Sequence, residues 1–203
     1  MVLDFSQRRT RTACVLIGWL IISYIYTSRC RLGLIDTILY NGMMLGLSLV
    51  MLRHDYGLTL VHSWRSFFRG LPEGVGFGLA LALVMYFVLP KLGFNRYVSQ
   101  SSRPFLNFCF NLAIQMIYCS AEEAFCRGYL YEGLKSFVPH QGLAIVIVSL
   151  IFGALHIHVK PMMFPVATVI SMYFFLLKSA YGNRWFSVVV WTHVSYNMFM
   201  KIL

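Results

Sequence analysis

Long apolar runs, separated by short charged or proline-bearing connections, dominate this chain of 203 residues. Hydrophobic residues make up 59% of the sequence and charged residues only 12%, whereas a soluble domain carries roughly 25% charged residues. Such runs predict membrane-spanning helices, because the backbone within a bilayer must satisfy its own hydrogen bonds. The predicted spans are residues 12–28, 34–52, 74–89, 105–131, 141–157, 163–177 and 185–203. We therefore expect an all-α polytopic membrane protein, a bundle of about seven transmembrane helices.

The segments between the apolar runs indicate further features of this bundle. Arg8, Arg9 and Arg11 precede the first run, and no small-x-small cleavage site follows, which predicts an uncleaved first helix. Residues 54–69 mix arginines with Trp64 and phenylalanines, a composition typical of an interfacial helix. We expect one compact membrane domain, in which residues 1–104 supply the N-terminal helices and interfacial segment and residues 105–203 supply a C-terminal helical core.

Charge and cysteine usage exclude several classes of protein. The net charge is +10, but the lysines and arginines are spread through the connections, so the lipid bilayer rather than nucleic acid is the expected partner. The five cysteines form no C-x-x-C and no His/Cys cluster, so neither a disulfide framework nor a thiolate zinc site is predicted. No cofactor is expected, and the small size favours a prokaryotic inner membrane.

Three ionisable residues lie at the end of the fourth apolar run, in the stretch AEEAFCRGYL. A charged group near the centre of a bilayer costs about 2.5–3.5 kcal/mol on insertion scales, so Glu122, Glu123 and Arg127 need an explanation. Glu123 and Arg127 are four residues apart and share one helical face, which predicts an ion pair. Glu122 points about 100° away from that pair. The two glutamate side chains are therefore predicted to lie on different faces of the helix.

Polar side chains recur in the later runs. His156 follows Phe152 by four residues (F-x-x-x-H), and His193 precedes Asn197 by four residues (H-x-x-x-N), which places each pair on one helical face. A third series in the fourth run consists of Asn107, Asn111 and Gln115. Membrane helices commonly use such residues for interhelical hydrogen bonds, and a substrate channel is the alternative for the third series.

Together these residue types permit hydrolysis. A carboxylate withdrawn from water has a raised pKa and can act as a general base, and a neutral imidazole can orient the same water. A second imidazole and an amide can stabilise the oxyanion. The motifs G-x-S-x-G and H-E-x-x-H are both absent from the sequence, so neither a serine nucleophile nor a zincin is indicated. We expect a polar catalytic cavity among the C-terminal helices.

The motifs E-E-x-x-x-R, F-x-x-x-H and H-x-x-x-N, in this order on successive helices, resemble the CPBP (Abi) family of glutamic intramembrane proteases. This family includes the type II CAAX prenyl endopeptidases and bacteriocin-processing proteins, and the resemblance covers about residues 105–203. It implies a metal-independent protease in which Glu122 and His156 activate water and His193 and Asn197 form the oxyanion hole. It also implies that Glu123 and Arg127 support the site. One departure is Cys126, which stands where the family has an aromatic residue.

Two alternatives remain open. Glu122, His156 and His193 would also suit a metal site with two histidines and one carboxylate. A non-catalytic membrane protein, either a bacteriocin-immunity factor or a proton-coupled transporter that uses the glutamates as a relay, is the alternative from another class. The expected substrate is a membrane-associated peptide or protein, and the sequence does not say whether it is prenylated.

Overall fold

The computed structural model describes residues 5–29, 34–61, 63–93, 104–157 and 161–202. Every regular element within these ranges is a helix. The α-helices are α1 (Phe5–Arg29), α2 (Leu34–Tyr56), α3 (Trp64–Phe68), α4 (Leu71–Val88), α5 (Pro104–Glu123), α6 (Tyr131–Leu134), α7 (Gln141–Leu155), α8 (Met163–Tyr181) and α9 (Trp185–Ile202). Two 3₁₀ turns, Leu89–Leu92 and Gly182–Arg184, and a π-helical segment, Ala124–Leu130, complete the order.

Each of the seven predicted apolar runs falls on a helix. The fourth run lies in a continuous helical stretch formed by α5, the π-helical segment and α6. Within the described ranges, Trp64–Leu92 and Met163–Lys201 are long and apolar enough to cross a membrane, and α7 is apolar but shorter. Met163–Lys201 contains both α8 and α9, which were predicted as separate spans. The helical class is therefore confirmed, whereas the number of spans stays a prediction.

The expected interfacial helix over residues 54–69 is shorter than predicted. His54 belongs to the end of α2, and Gly57, with φ of +67°, adopts the left-handed conformation that terminates helices. Helix α3 covers only Trp64–Phe68 and begins at Ser63, whose side chain and that of Ser66 cap each other's backbone N–H groups. Its position at a membrane surface stays a prediction, and His62 lies outside the described residues.

Exposed apolar side chains follow one face of α2. Leu39, Met43, Leu47 and Val50 are each more than half exposed and recur at helical spacing. Soluble proteins rarely leave such a continuous apolar row in water. This row is therefore suited to contact with lipid, in agreement with the composition of the chain.

The chain forms two compact units. The first contains Met1–Leu60 and Ala121–Leu176, and the second contains Val61–Ser120 and Leu177–Leu203. Helix α5 continues from the second unit into the first at residue 121, and α8 continues in the other direction. The expected division near residue 104 stays a prediction.

In the first unit, α1 and α2 pack against the π-helical segment and α6. The Trp19 ring lies 4.4 Å from the Phe125 ring, and Gly128 leaves room for the Leu52 side chain. The carboxylate of Asp55 is 1% exposed and accepts hydrogen bonds from Arg11 at 2.9 Å and from the Tyr129 hydroxyl at 3.4 Å. These contacts hold the segment that carries the E-E-x-x-x-R motif.

In the second unit, α4 packs along α9. The Trp191 indole N–H donates to the carbonyl oxygen of Phe67 at 3.3 Å, and Arg184 pairs with Glu73 at 3.2 Å. A Cβ atom added at Gly78 would lie 2.6 Å from both the Ser195 Cβ and the Thr192 carbonyl oxygen. Glycine therefore permits the close approach of the two backbones, as in other membrane helix pairs.

This packing gives a prediction with an internal control. Gly78→Ala should destabilise the protein by about 1–3 kcal/mol, because backbone atoms of α9 would have to move to admit one methyl group. Gly76→Ala, on the same helix with nothing within 4 Å of the added Cβ, should be neutral or slightly stabilising. Thermal unfolding of both variants in detergent checks this, and equal shifts in Tm would contradict the α4–α9 packing.

Candidate active site

The E-E-x-x-x-R motif spans the junction between α5 and the π-helical segment. Glu122 and Glu123 are the last two residues of α5, and Arg127 lies in the segment. Glu123 and Arg127 are both 0% exposed, and the Arg127 Nη1 donates to the Glu123 Oε1 at 3.3 Å. The ion pair predicted from the spacing is therefore present. The π-helical geometry was not predicted, and such segments within α-helices are frequent at functional sites.

Three phenylalanine rings surround the Arg127 guanidinium. Its Cζ lies 4.3 Å from the centroid of Phe152, 5.4 Å from that of Phe174 and 5.7 Å from that of Phe175. A cation over the face of a desolvated ring is stabilised by about 2 kcal/mol or more. Arg127 is thus held by one carboxylate and by aromatic rings from α7 and α8. Of these rings, Phe152 belongs to the F-x-x-x-H motif, whereas Phe174 and Phe175 were not singled out from the sequence.

Phe152 connects this ion pair to His156. Its ring lies 4.5 Å from the imidazole of His156, and its carbonyl oxygen lies 2.8 Å from the His156 Nδ1. A carbonyl oxygen can only accept a hydrogen bond, so Nδ1 carries a proton and the neutral ring has its lone pair on Nε2. Within the first unit, contacts through Arg127 and Phe152 therefore join the E-E-x-x-x-R motif to the F-x-x-x-H motif.

The two glutamates differ in their access to solvent. Glu122 is half-buried, whereas Glu123 is completely buried beside Arg127. A carboxylate that takes a proton from water has to be reachable by that water. The burial pattern therefore suits a division in which Glu122 acts on water and Glu123 holds the structure.

The H-x-x-x-N motif lies in α9, within the second unit. His193 is 6% exposed and Asn197 is half-buried. The Asn197 Nδ2 donates to the Gln115 Oε1 at 2.8 Å and lies 3.5 Å from the Cys119 Sγ. Lys201 likewise donates to the Asn111 Oδ1 at 2.9 Å. Two members of the α5 polar series, Asn111 and Gln115, thus make interhelical hydrogen bonds, as the first of the two interpretations predicted for them.

Gln115 and Cys119 were not predicted as site residues. Gln115 was singled out only as a member of the polar series, and a buried cysteine gives no signal of its own. On α5, Gln115 and Cys119 are four residues apart and so share one helical face, and Glu122 follows later in the same helix. The same helix therefore carries a predicted catalytic glutamate and the residues that hold Asn197.

Across the described part of the chain, no three His, Cys, Asp or Glu side chains are grouped so as to hold a metal ion. The choice between water activated by a carboxylate and water activated by a metal is left to the chelation experiment below.

Comparison with known protein families finds a match in the C-terminal part of the chain. Residues 102–199 match the family model described as type II CAAX prenyl endopeptidase Rce1-like. These residues, called the Rce1-like region below, are therefore similar to that family. No curated protein and no solved structure matches the chain.

The Rce1-like region begins just before α5 and ends within α9. It contains all six predicted site residues, Glu122, Glu123, Arg127, His156, His193 and Asn197, and leaves α1 to α4 outside. The Rce1-like family is a membrane-embedded protease family, so the match supports a CAAX-type intramembrane protease at the level of the family.

Proposed function

We propose that this protein is a glutamic intramembrane endopeptidase, which hydrolyses a peptide bond of a membrane-associated peptide or protein. The observation that carries the proposal is the chain of contacts from Glu123 through Arg127 and Phe152 to His156. These contacts join two of the three motifs within the Rce1-like region. The Nδ1–H of His156 donates to the Phe152 carbonyl, which fixes the tautomer of this imidazole, and the residue before Glu123 is a second, more accessible carboxylate, Glu122.

In the proposed first step, Glu122 removes a proton from a water molecule while the water oxygen attacks the scissile carbonyl carbon. The lone pair on the His156 Nε2 accepts a hydrogen bond from the second proton of that water. This role requires a neutral imidazole, and with Nδ1–H donated to the Phe152 carbonyl the lone pair of such a ring lies on Nε2. The carbonyl π electrons move to oxygen, giving a tetrahedral oxyanion.

In the second step, the oxyanion collapses and the C–N bond breaks. Glu122 returns its proton to the departing nitrogen, which leaves as an amine, and the new carboxyl group contains the oxygen from water. His193 and Asn197 donate hydrogen bonds to the oxyanion before collapse. Such donors are worth about 2.7–4 kcal/mol each when they are already oriented in the resting enzyme.

The substrate is proposed at the level of chemistry alone. The family name refers to prenylated CAAX sequences, so a farnesylated peptide ending in such a sequence is the first substrate to test. An unprenylated membrane-associated peptide is the second. Both would approach the site from the bilayer, where an apolar chain or segment is already concentrated.

The proposal is tested by comparing the peptides in membranes that contain wild-type protein with those in membranes that contain Glu122→Gln. The expected result is at least one precursor that is cut only by the wild type, and the farnesylated peptide is assayed in parallel. Glu132→Gln is the matched control, because Glu132 lies in α6 of the same continuous helical stretch and pairs with Lys135. Membranes that contain Glu132→Gln should yield the same peptides as membranes that contain the wild-type protein.

Two outcomes would contradict the proposal. Identical peptides from wild type and Glu122→Gln, with a biological effect that survives the substitution, would favour the non-catalytic alternative. Loss of cleavage in a strong chelator, restored by stoichiometric zinc, would favour the metal-dependent alternative. A glutamic protease should instead be insensitive to the chelator.

A further inference from the structure

The Asn197 side chain is held by two acceptors of unequal strength, both on α5. The Gln115 Oε1 accepts from its Nδ2 at 2.8 Å, and the Cys119 Sγ lies 3.5 Å from the same nitrogen. The Cys119 thiol in turn donates towards the Gln115 Oε1 at 3.7 Å. Cys119 is 1% exposed, so these contacts are made away from bulk solvent.

The two acceptors differ in how readily each gives up its hydrogen bond. An amide oxygen is a strong acceptor, and a bond of 2.8 Å is short for an N–H donor. A thiol sulfur is a weak acceptor. The Asn197 amide has two N–H groups, so we assign one of them to Gln115 and the other to the weaker contact with sulfur. Because the amide is planar, the first N–H fixes the direction of the second, and a better acceptor that comes within reach can replace the sulfur at little cost.

We infer that Gln115 is a positioning residue for the oxyanion hole: it fixes the amide of Asn197 so that the N–H held weakly by Cys119 is presented to the developing oxyanion. This inference rests on the proposed function. It adds a residue outside the three motifs and gives a chemical reason for a sulfur, rather than an oxygen, beside Asn197. A hydroxyl at position 119 would compete with the oxyanion for the same N–H.

The inference is tested with variants of Gln115, assayed on the peptide that the wild type cleaves and Glu122→Gln does not. Gln115→Met keeps the size of the side chain but removes the amide oxygen, and should lower kcat about five- to tenfold, the scale of one hydrogen bond. KM should change little, because the interaction acts in the transition state. Gln115→Glu keeps an acceptor oxygen in either protonation state and should restore most of kcat.

Two further variants separate positioning from simple helix packing. Cys119→Ser should lower kcat, because its hydroxyl is the stronger acceptor. Asn111→Leu breaks the neighbouring α5–α9 hydrogen bond with Lys201 without touching Asn197, and should leave kcat unchanged. In an Asn197→Ala background, Gln115→Met should cause no additional loss of kcat, since residues that act as a unit are not additive.

Several results would overturn the inference while leaving the proposed function intact. These are wild-type kcat for Gln115→Met, an equal loss for Asn111→Leu, or an undiminished effect of Gln115→Met in the Asn197→Ala background. The last two results would assign Gln115 to helix packing. If no peptide distinguishes wild type from Glu122→Gln, the proposed function fails and the inference falls with it.

Discussion

Arg127→Met should lose most of its folded form, because it leaves the Glu123 carboxylate buried beside apolar side chains. Both partners of the pair are 0% exposed. Breaking a buried ion pair by removing one partner costs about 3–5 kcal/mol, a large fraction of the 5–15 kcal/mol that stabilises a typical protein. Methionine keeps much of the volume inside the ring cage of Phe152, Phe174 and Phe175. The measurements are abundance in the membrane and thermal unfolding in detergent.

The same helical stretch supplies the control. Lys135 pairs with Glu132, but its side chain is 33% exposed. Lys135→Met should therefore cost less than about 1 kcal/mol, as is usual for exposed ion pairs. The double variant Glu123→Gln/Arg127→Met should recover part of the loss, because neither position then carries a buried charge. If the two single methionine variants melt alike, Glu123 and Arg127 have no special structural role.

Local sequence rules predicted the helices and the buried ion pair well. The run at residues 74–89 became α4, Leu71–Val88, and the pair at positions 123 and 127 formed as its spacing required. Both predictions depend on periodicity along one helix, which a sequence displays directly. The helical class follows from the same information.

Contacts between distant residues were not predictable in this way. Phe174 and Phe175 are more than 40 positions from Arg127 and look like any other aromatic residues of a membrane helix. The π-helical segment is a change in hydrogen-bond register, and the contacts of Tyr129 with Asp55 and of Gly128 with Leu52 brace it from α2. Nothing in the local pattern of residues 124–130 encodes those tertiary contacts.

Gly76 and Gln115 are single positions whose neighbours could not be predicted from the sequence. A glycine series on α4 indicates close packing, but only the neighbouring helix decides that Gly78 is crowded and Gly76 is open. The polar series on α5 indicates interhelical bonds, but only the structure shows that Gln115 meets Asn197. Sequence patterns therefore indicated which helix faces make contacts. The residues that those faces contact are seen only in the folded structure.

Glu122→Gln should abolish cleavage, whereas Asn197→Ala should leave measurable residual activity. Glutamine has the shape of glutamate and can still bind water, but it cannot accept the proton that the attack releases. Removal of one oxyanion donor typically lowers kcat by about 10²–10³, equivalent to roughly 2.7–4 kcal/mol. Single-turnover rates on the identified peptide, with folding checked by thermal unfolding, compare the two variants with wild type and with Glu132→Gln.

The order of these rates tests the assignment of roles. If Glu122 supplies the base, no other group can replace it and turnover should fall to background. If Asn197 only stabilises charge, His193 still donates to the oxyanion and the reaction continues slowly. Both variants should fold, since Glu122 and Asn197 are only half-buried and neither belongs to the buried pair of Glu123 and Arg127. If the Glu122→Gln variant cleaves the peptide faster than the Asn197→Ala variant does, Glu122 is not the general base.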